Sequence, residues 1–214
     1  MARPGTASRP GERASNPNAD ETRRALVEAA IDALREDGFG GASARGIARR
    51  ARLNQGLVFY HFGSVANLLV AALDEVSARR LARYQAAVDG VDSLPALLTV
   101  AADIFREDLD AGYVTVLTEM IGGSSSTPGL GAAVAERIGP WRTFAAGAVE
   151  RALGATVLSQ VVSGDEVAHA IVALYLGLEL LAHLDGDRRP ALSLFERADR
   201  LAPLLASLKG GASK

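Results

Sequence analysis

Apolar residues recur every three to four positions through most of this chain, in long runs broken by short clusters of Gly, Pro, Ser and Asn. That period belongs to helices packed by one face, and the two-residue alternation of half-buried strands is nowhere sustained. The first run, from about Asp20 to Asp37, places Leu26, Val27, Ala30, Ile31 and Leu34 on one stripe, with Gly38 set to end it in a left-handed turn. Phe39 then packs into the small core. Later runs predict helices over 64–88, 94–109, 111–122, 130–153 with a kink at Pro140, 165–185 and 190–208. The run 165–185 is apolar almost all round, so it needs cover on every side. The fold class read from this pattern is all-α.

The segment Ser43–Phe62 has a different texture: two short helices and a tight corner. Ser43 is placed to cap the first, because its hydroxyl can accept from a free backbone N–H. Ile47, Ala48 and Ala51 share a face, and the small alanines admit a close neighbour. Leu53 plugs the corner, and Asn54 is placed to cap a second helix from about Gln55 to Tyr60. Such a pair is a helix-turn-helix, whose second helix enters the DNA major groove.

Composition narrows the picture further. The chain has 214 residues, 49% of them hydrophobic, which is ample for a core in one large or two small domains. There is no cysteine, hence no disulfide framework, thiolate zinc site or thiol nucleophile. Neither a Gly-rich phosphate loop nor a nucleophile motif supports an all-helical enzyme. With no signal peptide and no apolar run near the ~20 residues of a membrane span, a cytoplasmic chain without membrane contact is expected. The nearest stretch, 171–184, is interrupted or bounded by His169, Glu179, His183 and Asp185. The net charge of −2 hides an asymmetry: residues 1–64 hold ten arginines against seven acids, and the remainder is acidic. A basic front on an acidic body suits a protein that meets phosphates with one end.

Ser43, Ile47-Ala48, Ala51-Arg52-Leu53-Asn54, the run Gly56-Leu57-Val58-Phe59-Tyr60-His61-Phe62 and the following Gly63-Ser64-Val65-Ala66-Asn67-Leu68 together resemble the DNA-binding domain of the TetR family of bacterial transcriptional regulators. The resemblance spans roughly residues 20–73. It implies three parts: an N-terminal arm over 1–19, a three-helix DNA-binding domain over 20–64, and an effector-binding and dimerisation bundle over 65–214. Residues 1–19, rich in Pro, Gly, Ser and Arg, read as a disordered arm, with Arg3, Arg9 and Arg13 placed to reach DNA if the arm does. Carried over residue by residue, the resemblance makes Ser43, Arg45, Asn54, Gln55, Gly56, Leu57, Phe59, Tyr60 and His61 the DNA-binding set. The chemistry agrees for several of them. Arg45 can pair with guanine, Gln55 with adenine, and Leu57 can meet a thymine methyl. Gly56 lets backbone approach closely, while Tyr60 and His61 suit phosphates. Arg49 and Arg50 read as solvated charges adding general attraction.

Three positions depart from the family pattern. Arg52 stands where Gly is usual, at a cost of roughly 1 kcal/mol if the corner is left-handed. Leu57 replaces a small hydroxyl residue, and Val65-Ala66 replaces a Lys-Glu pair.

For the body, the resemblance implies a homodimer through the last two helices and a small-molecule effector that releases a repressor from operator DNA; a DNA-binding regulator controlled by a protein partner, or with no ligand, is the alternative, and no cofactor is expected. Candidate ligand-binding residues are Phe105, Tyr113, Glu119, Met120, Trp141, Phe144, Tyr175 and Glu179. Glu119 and Glu179 stand out, since a carboxylate on an apolar helix needs a partner or a solvated cavity. Tyr175, Glu179 and His183 share a helix face, but two ligands are too few for a zinc site, so no metal is expected.

Overall fold

A computed structural model describes residues 17–111, 113–153 and 163–207, and among these every regular element is a helix. The order is α1 Pro17–Gly41, α2 Ala44–Arg50, α3 Gly56–Phe62, α4 Val65–Val88, α5 Leu94–Ala111, α6 Tyr113–Ser124, α7 Leu130–Glu136, α8 Gly139–Leu153, α9 Gly164–Asp185 and α10 Arg189–Ser207. The arm, with Arg3, Arg9 and Arg13, lies outside the described residues.

Local chemistry accounts for the boundaries at the front of the chain. The Ser43 hydroxyl accepts from the Gly46 N–H at 3.1 Å and opens α2. Asn54 Oδ1 accepts from the Gly56 N–H at 2.8 Å, so Asn54 caps α3 although helical geometry starts one residue later than the pattern predicts. Ser64 accepts from the Asn67 N–H and opens α4. At Gly38 the backbone turns to φ 71°, and the chain resumes helical geometry on the far side, so α1 ends in a kinked extra turn that the sequence pattern stops short of.

Leu26, Leu34, Ile47, Val58, Leu68 and Leu69 are fully buried together and hold α1 to α4 as one core. That core does not stop at α4. Val116 and Met120 of α6, with Leu130 and Val134 of α7, belong to it. α6 therefore packs directly on α1.

The run 130–153 is two helices. α7 stops at Glu136 and α8 restarts at Gly139. Pro140 sits in the first turn of α8, where its missing N–H costs nothing, instead of kinking a continuous helix. α8 packs on α9, and α5 on α10, to close the body.

α9 inverts the usual burial. Its buried residues are Ala168, Glu179 and Ala182, while Ile171, Leu174, Leu180, Leu181 and Leu184 are exposed. Taken over its full 22 residues, α9 is long and apolar enough to cross a membrane by length and composition, which the reading of 171–184 alone missed. In this fold one of its sides packs on α8, and it carries an ion-paired Glu179 inward.

Candidate DNA-reading surface and effector cavity

α3 is seven residues long and is anchored by two of them, Val58 and Phe62. Leu57 also leans on the core and is half-buried. The opposite face is left to solvent: Gln55, Gly56, Phe59 and Tyr60 are exposed, and Tyr60 retains 80% of its accessible surface. A helix this short does not stand alone, so its orientation is set from outside. The Arg23 guanidinium of α1 lies 4.4 Å from the centre of the Phe62 ring and donates to the His61 carbonyl. The Tyr60 and His61 rings meet edge to face at 4.9 Å.

Ser43, Arg45 and Asn54 border this face and are exposed. The Ser43 and Asn54 side-chain oxygens are used in capping, which leaves the hydroxyl proton and the amide N–H groups as donors. Arg50 differs from the sequence expectation. It bridges Glu36 at 2.6 Å and Asp37 at 2.8 Å, so its charge is spent inside the protein and only Arg49 of the pair faces water. Arg52 adopts φ 57°, the left-handed corner that the Ala51-Arg52-Leu53 segment requires. Its N–H donates to the Arg49 carbonyl, and Leu53 donates back to Ala48.

The second feature is a cavity of about 370 Å³ in the body. Trp141 and Phe144 of α8, Tyr175 of α9, and Arg80 and Tyr84 of α4 line it, amid aliphatic residues such as Leu98, Ile104, Leu117 and Ile171. Of the eight candidate residues, Trp141, Phe144 and Tyr175 border it. Phe105 stands behind, its ring packed on Tyr175 at 5.3 Å and on Phe195 at 5.2 Å. The Tyr113 side chain lies outside the described residues.

Glu119 and Met120 are elsewhere. Met120 is buried in the core shared with α1 to α4. Glu119 Oε2 accepts from the Phe39 N–H at 2.7 Å, just past the kink at Gly38 within α1. Beside it, the Phe39 ring lies over Gly123, where a Cβ would come within 2.4 Å of ring carbons. Glu119 and Gly123 thus grip one residue of the DNA-reading end, and Leu117 on the same helix reaches the cavity wall.

Under the cavity floor lies a buried charge cluster that the sequence did not disclose. Arg80 Nη2 donates to Asp108 Oδ2 at 2.5 Å, to Tyr84 Oη at 3.0 Å and to Glu179 Oε1 at 3.2 Å. Tyr175 donates to Asp108 Oδ2 at 2.8 Å, and the Tyr84 and Tyr175 hydroxyls lie 3.0 Å apart. Burial pushes Glu179 up to about 8, Arg80 pulls it the other way, and Asp108 reinforces the rise. Burial also raises Tyr175 well above the ordinary phenol range, with Glu179 and Asp108 adding to it. Burial opposes the charge on Arg80, but the two carboxyls outweigh it and its pKa is raised. Arg80 and Asp108 were invisible because each reads as an ordinary surface charge on an amphipathic helix. Their spacing of 28 residues gives no periodic signal.

The fold and the geometry of α2 and α3 agree with what comparison finds. Residues 26–72 match the sequence profile of the bacterial regulatory proteins, tetR family. The match takes in α2 and α3 and part of the helix on either side of them, so the front of the chain is similar to the DNA-binding segment of that family. The chain is 37% identical over 75 residues to an HTH-type transcriptional repressor of Mycobacterium tuberculosis, covering 34% of this chain and 40% of that one. An uncharacterised HTH-type transcriptional regulator of the same species is 35% identical over 89 residues, 40% of this chain and 46% of the relative. The chain thus spans less than half the length of these relatives, and the likeness is confined to part of each. The solved structure of a TetR-family member from Streptomyces coelicolor superposes with a TM-score of 0.62 at 26% identity, over 83% of this chain and 98% of the other.

Proposed function

We propose that this chain is a TetR-family regulator, a cytoplasmic homodimeric repressor that binds operator DNA through α3 and is released by a small molecule held in the body. The observation that carries the reading is the uncovered outer face of α3, where Gln55, Gly56, Phe59 and Tyr60 stand clear of an otherwise buried helix. Arg45 and Gln55 supply base-edge chemistry, while Ser43, Tyr60 and the Asn54 amide supply phosphate donors. His61, half-buried against Tyr60, is placed to orient it. Leu57 contributes more to packing than to contact with thymine.

The exposed leucines of α9 support dimerisation through the last two helices, since a monomer would leave that stripe in water. Twofold symmetry would set two α3 helices against two half-sites. The cavity supports effector binding, because a concave, mostly apolar space of this size with a few polar groups is what small ligands occupy. α6 links the two, touching the cavity at Leu117 and Phe39 at Glu119. An effector acts on such a system only by preferring one of two arrangements.

The test is binding to labelled DNA from upstream of the protein's own gene across a salt series, beside Tyr60→Ala. Tight, salt-steep binding is expected, absent on scrambled DNA, with the mutant weakened roughly tenfold or more for loss of a charge-assisted hydrogen bond. A folded dimer that binds no DNA at any salt would refute the reading.

A further inference from the structure

We propose that the body cavity is built for a lipophilic ligand carrying a hydrogen-bond donor, a protonated amine above all, and that it discriminates against carboxylates; this rests on the effector reading above. Three observations carry it. The first is the direction of the hydrogen bonds at the polar end of the cavity. Tyr175 gives its only proton to Asp108, so in the 3.0 Å pair with Tyr84 it is Tyr84 that donates. Both phenol protons are then committed inward, and each phenol oxygen keeps only lone pairs for a visitor. A ligand meeting these tyrosines must bring the proton.

The second observation is charge. The cluster behind the tyrosines holds one guanidinium and two carboxyl groups, all buried: Arg80, Asp108 and Glu179. Glu179 Oε2 is buried with no hydrogen-bond partner among the described residues. Among the described residues the other arginine on the cavity wall is Arg137, held by both oxygens of Asp74 at 2.6 and 3.0 Å. Both arginines among the described wall residues are paired with carboxylates, so an anionic ligand would lose its hydration without compensation. A cationic one would draw the proton off Glu179 and pair with the charge left there.

The third is the wall itself. Tyr84, Trp141 and Phe144 gather at this end, with the Tyr84 ring centre 5.3 Å from Trp141 and 6.1 Å from Phe144. Aromatic faces attract cations and cover apolar bodies equally well. Arg80 already uses this property, its guanidinium carbon lying 5.3 Å from the Trp141 ring.

Three probes of one shape test the proposal: adamantane-1-methylamine, adamantane-1-methanol and adamantane-1-carboxylate. Trp141, the chain's one tryptophan, reports occupancy by its fluorescence. The expected order is amine, then alcohol, then carboxylate, with amine over alcohol by about tenfold, the worth of one charge-assisted hydrogen bond. Glu179→Gln should bring the amine down to the alcohol while leaving the alcohol unchanged. Tyr84→Phe, which keeps the ring, should weaken amine and alcohol alike and leave the carboxylate as it was; circular dichroism checks that both variants fold. Equal binding of the three probes, or the carboxylate tightest, overturns the ligand class while the cavity reading stands. Binding of none overturns both.

Discussion

Arg52 and Glu179 are both placed against local preference, and each yields a measurable consequence. Arg52 holds φ 57° at an exposed corner, where a Cβ is penalised and glycine is not. Arg52→Gly should therefore stabilise the protein by up to about 1 kcal/mol, read as a higher urea midpoint with unchanged slope. This corner was legible only through the family resemblance, which sets a glycine where Arg52 stands and so raised a left-handed turn as a condition. Glu179 was legible only in part. A carboxylate in an apolar helix announces a partner, but not which one. Its carboxyl faces Arg80 of α4 and Asp108 of α5, with Tyr84 of α4 and Tyr175 of its own helix completing the cluster. In the unfolded chain a glutamate releases its proton at about pH 4.3, whereas here it keeps the proton to about 8. Between those values the folded state binds more protons. Stability is therefore full below the lower value, declines as pH rises through the window, and levels off above 8. The decline should amount to roughly a few kcal/mol. Chemical denaturation at pH 5 and pH 8.5 measures it, and Glu179→Gln should flatten the slope.

Among the elements, α6 decides most. Its sequence reads as a plain apolar helix, yet Glu119 takes the Phe39 N–H and Gly123 gives way to the Phe39 ring. A Leu at 123 has nowhere to go without moving that ring. Gly123→Leu should cost about 1–3 kcal/mol of stability, as overpacking does, and should weaken DNA binding while leaving probe binding in the cavity intact. Thermal melts, DNA binding and Trp141 fluorescence on one preparation separate the three effects. Sequence reasoning assigned Glu119 and Met120 to ligand because periodicity shows which residues face inward, not which interior they face. The break between α7 and α8 was hidden for a related reason. A proline is allowed either at a kink or in the first turn of a new helix, and only packing chooses between them.

At the scale of the whole molecule, the helices apart from the break between α7 and α8, the cap residues of the front end and the all-round apolarity of α9 were written in the pattern of the chain. The cavity was not, since it is assembled from every helix from α4 to α10 and no local signal records empty space. The stripe on α9 makes its own prediction. Leu181 is 56% exposed, and Leu181→Glu at the proposed interface should turn a dimer into a monomer in sedimentation equilibrium and weaken operator binding with it. The grip of α6 on Phe39 has one more consequence, for anyone who recombines such proteins. The front of the chain is not a detachable reading head, because Phe39 needs a residue without a side chain at 123, and Gly38 leaves room for Glu119. A hybrid that grafts residues 17–88 onto a foreign body inherits one half of a joint. It should work only where the recipient offers its own glycine and carboxylate at the matching places, or where positions 38, 39, 119 and 123 travel together as a single cassette.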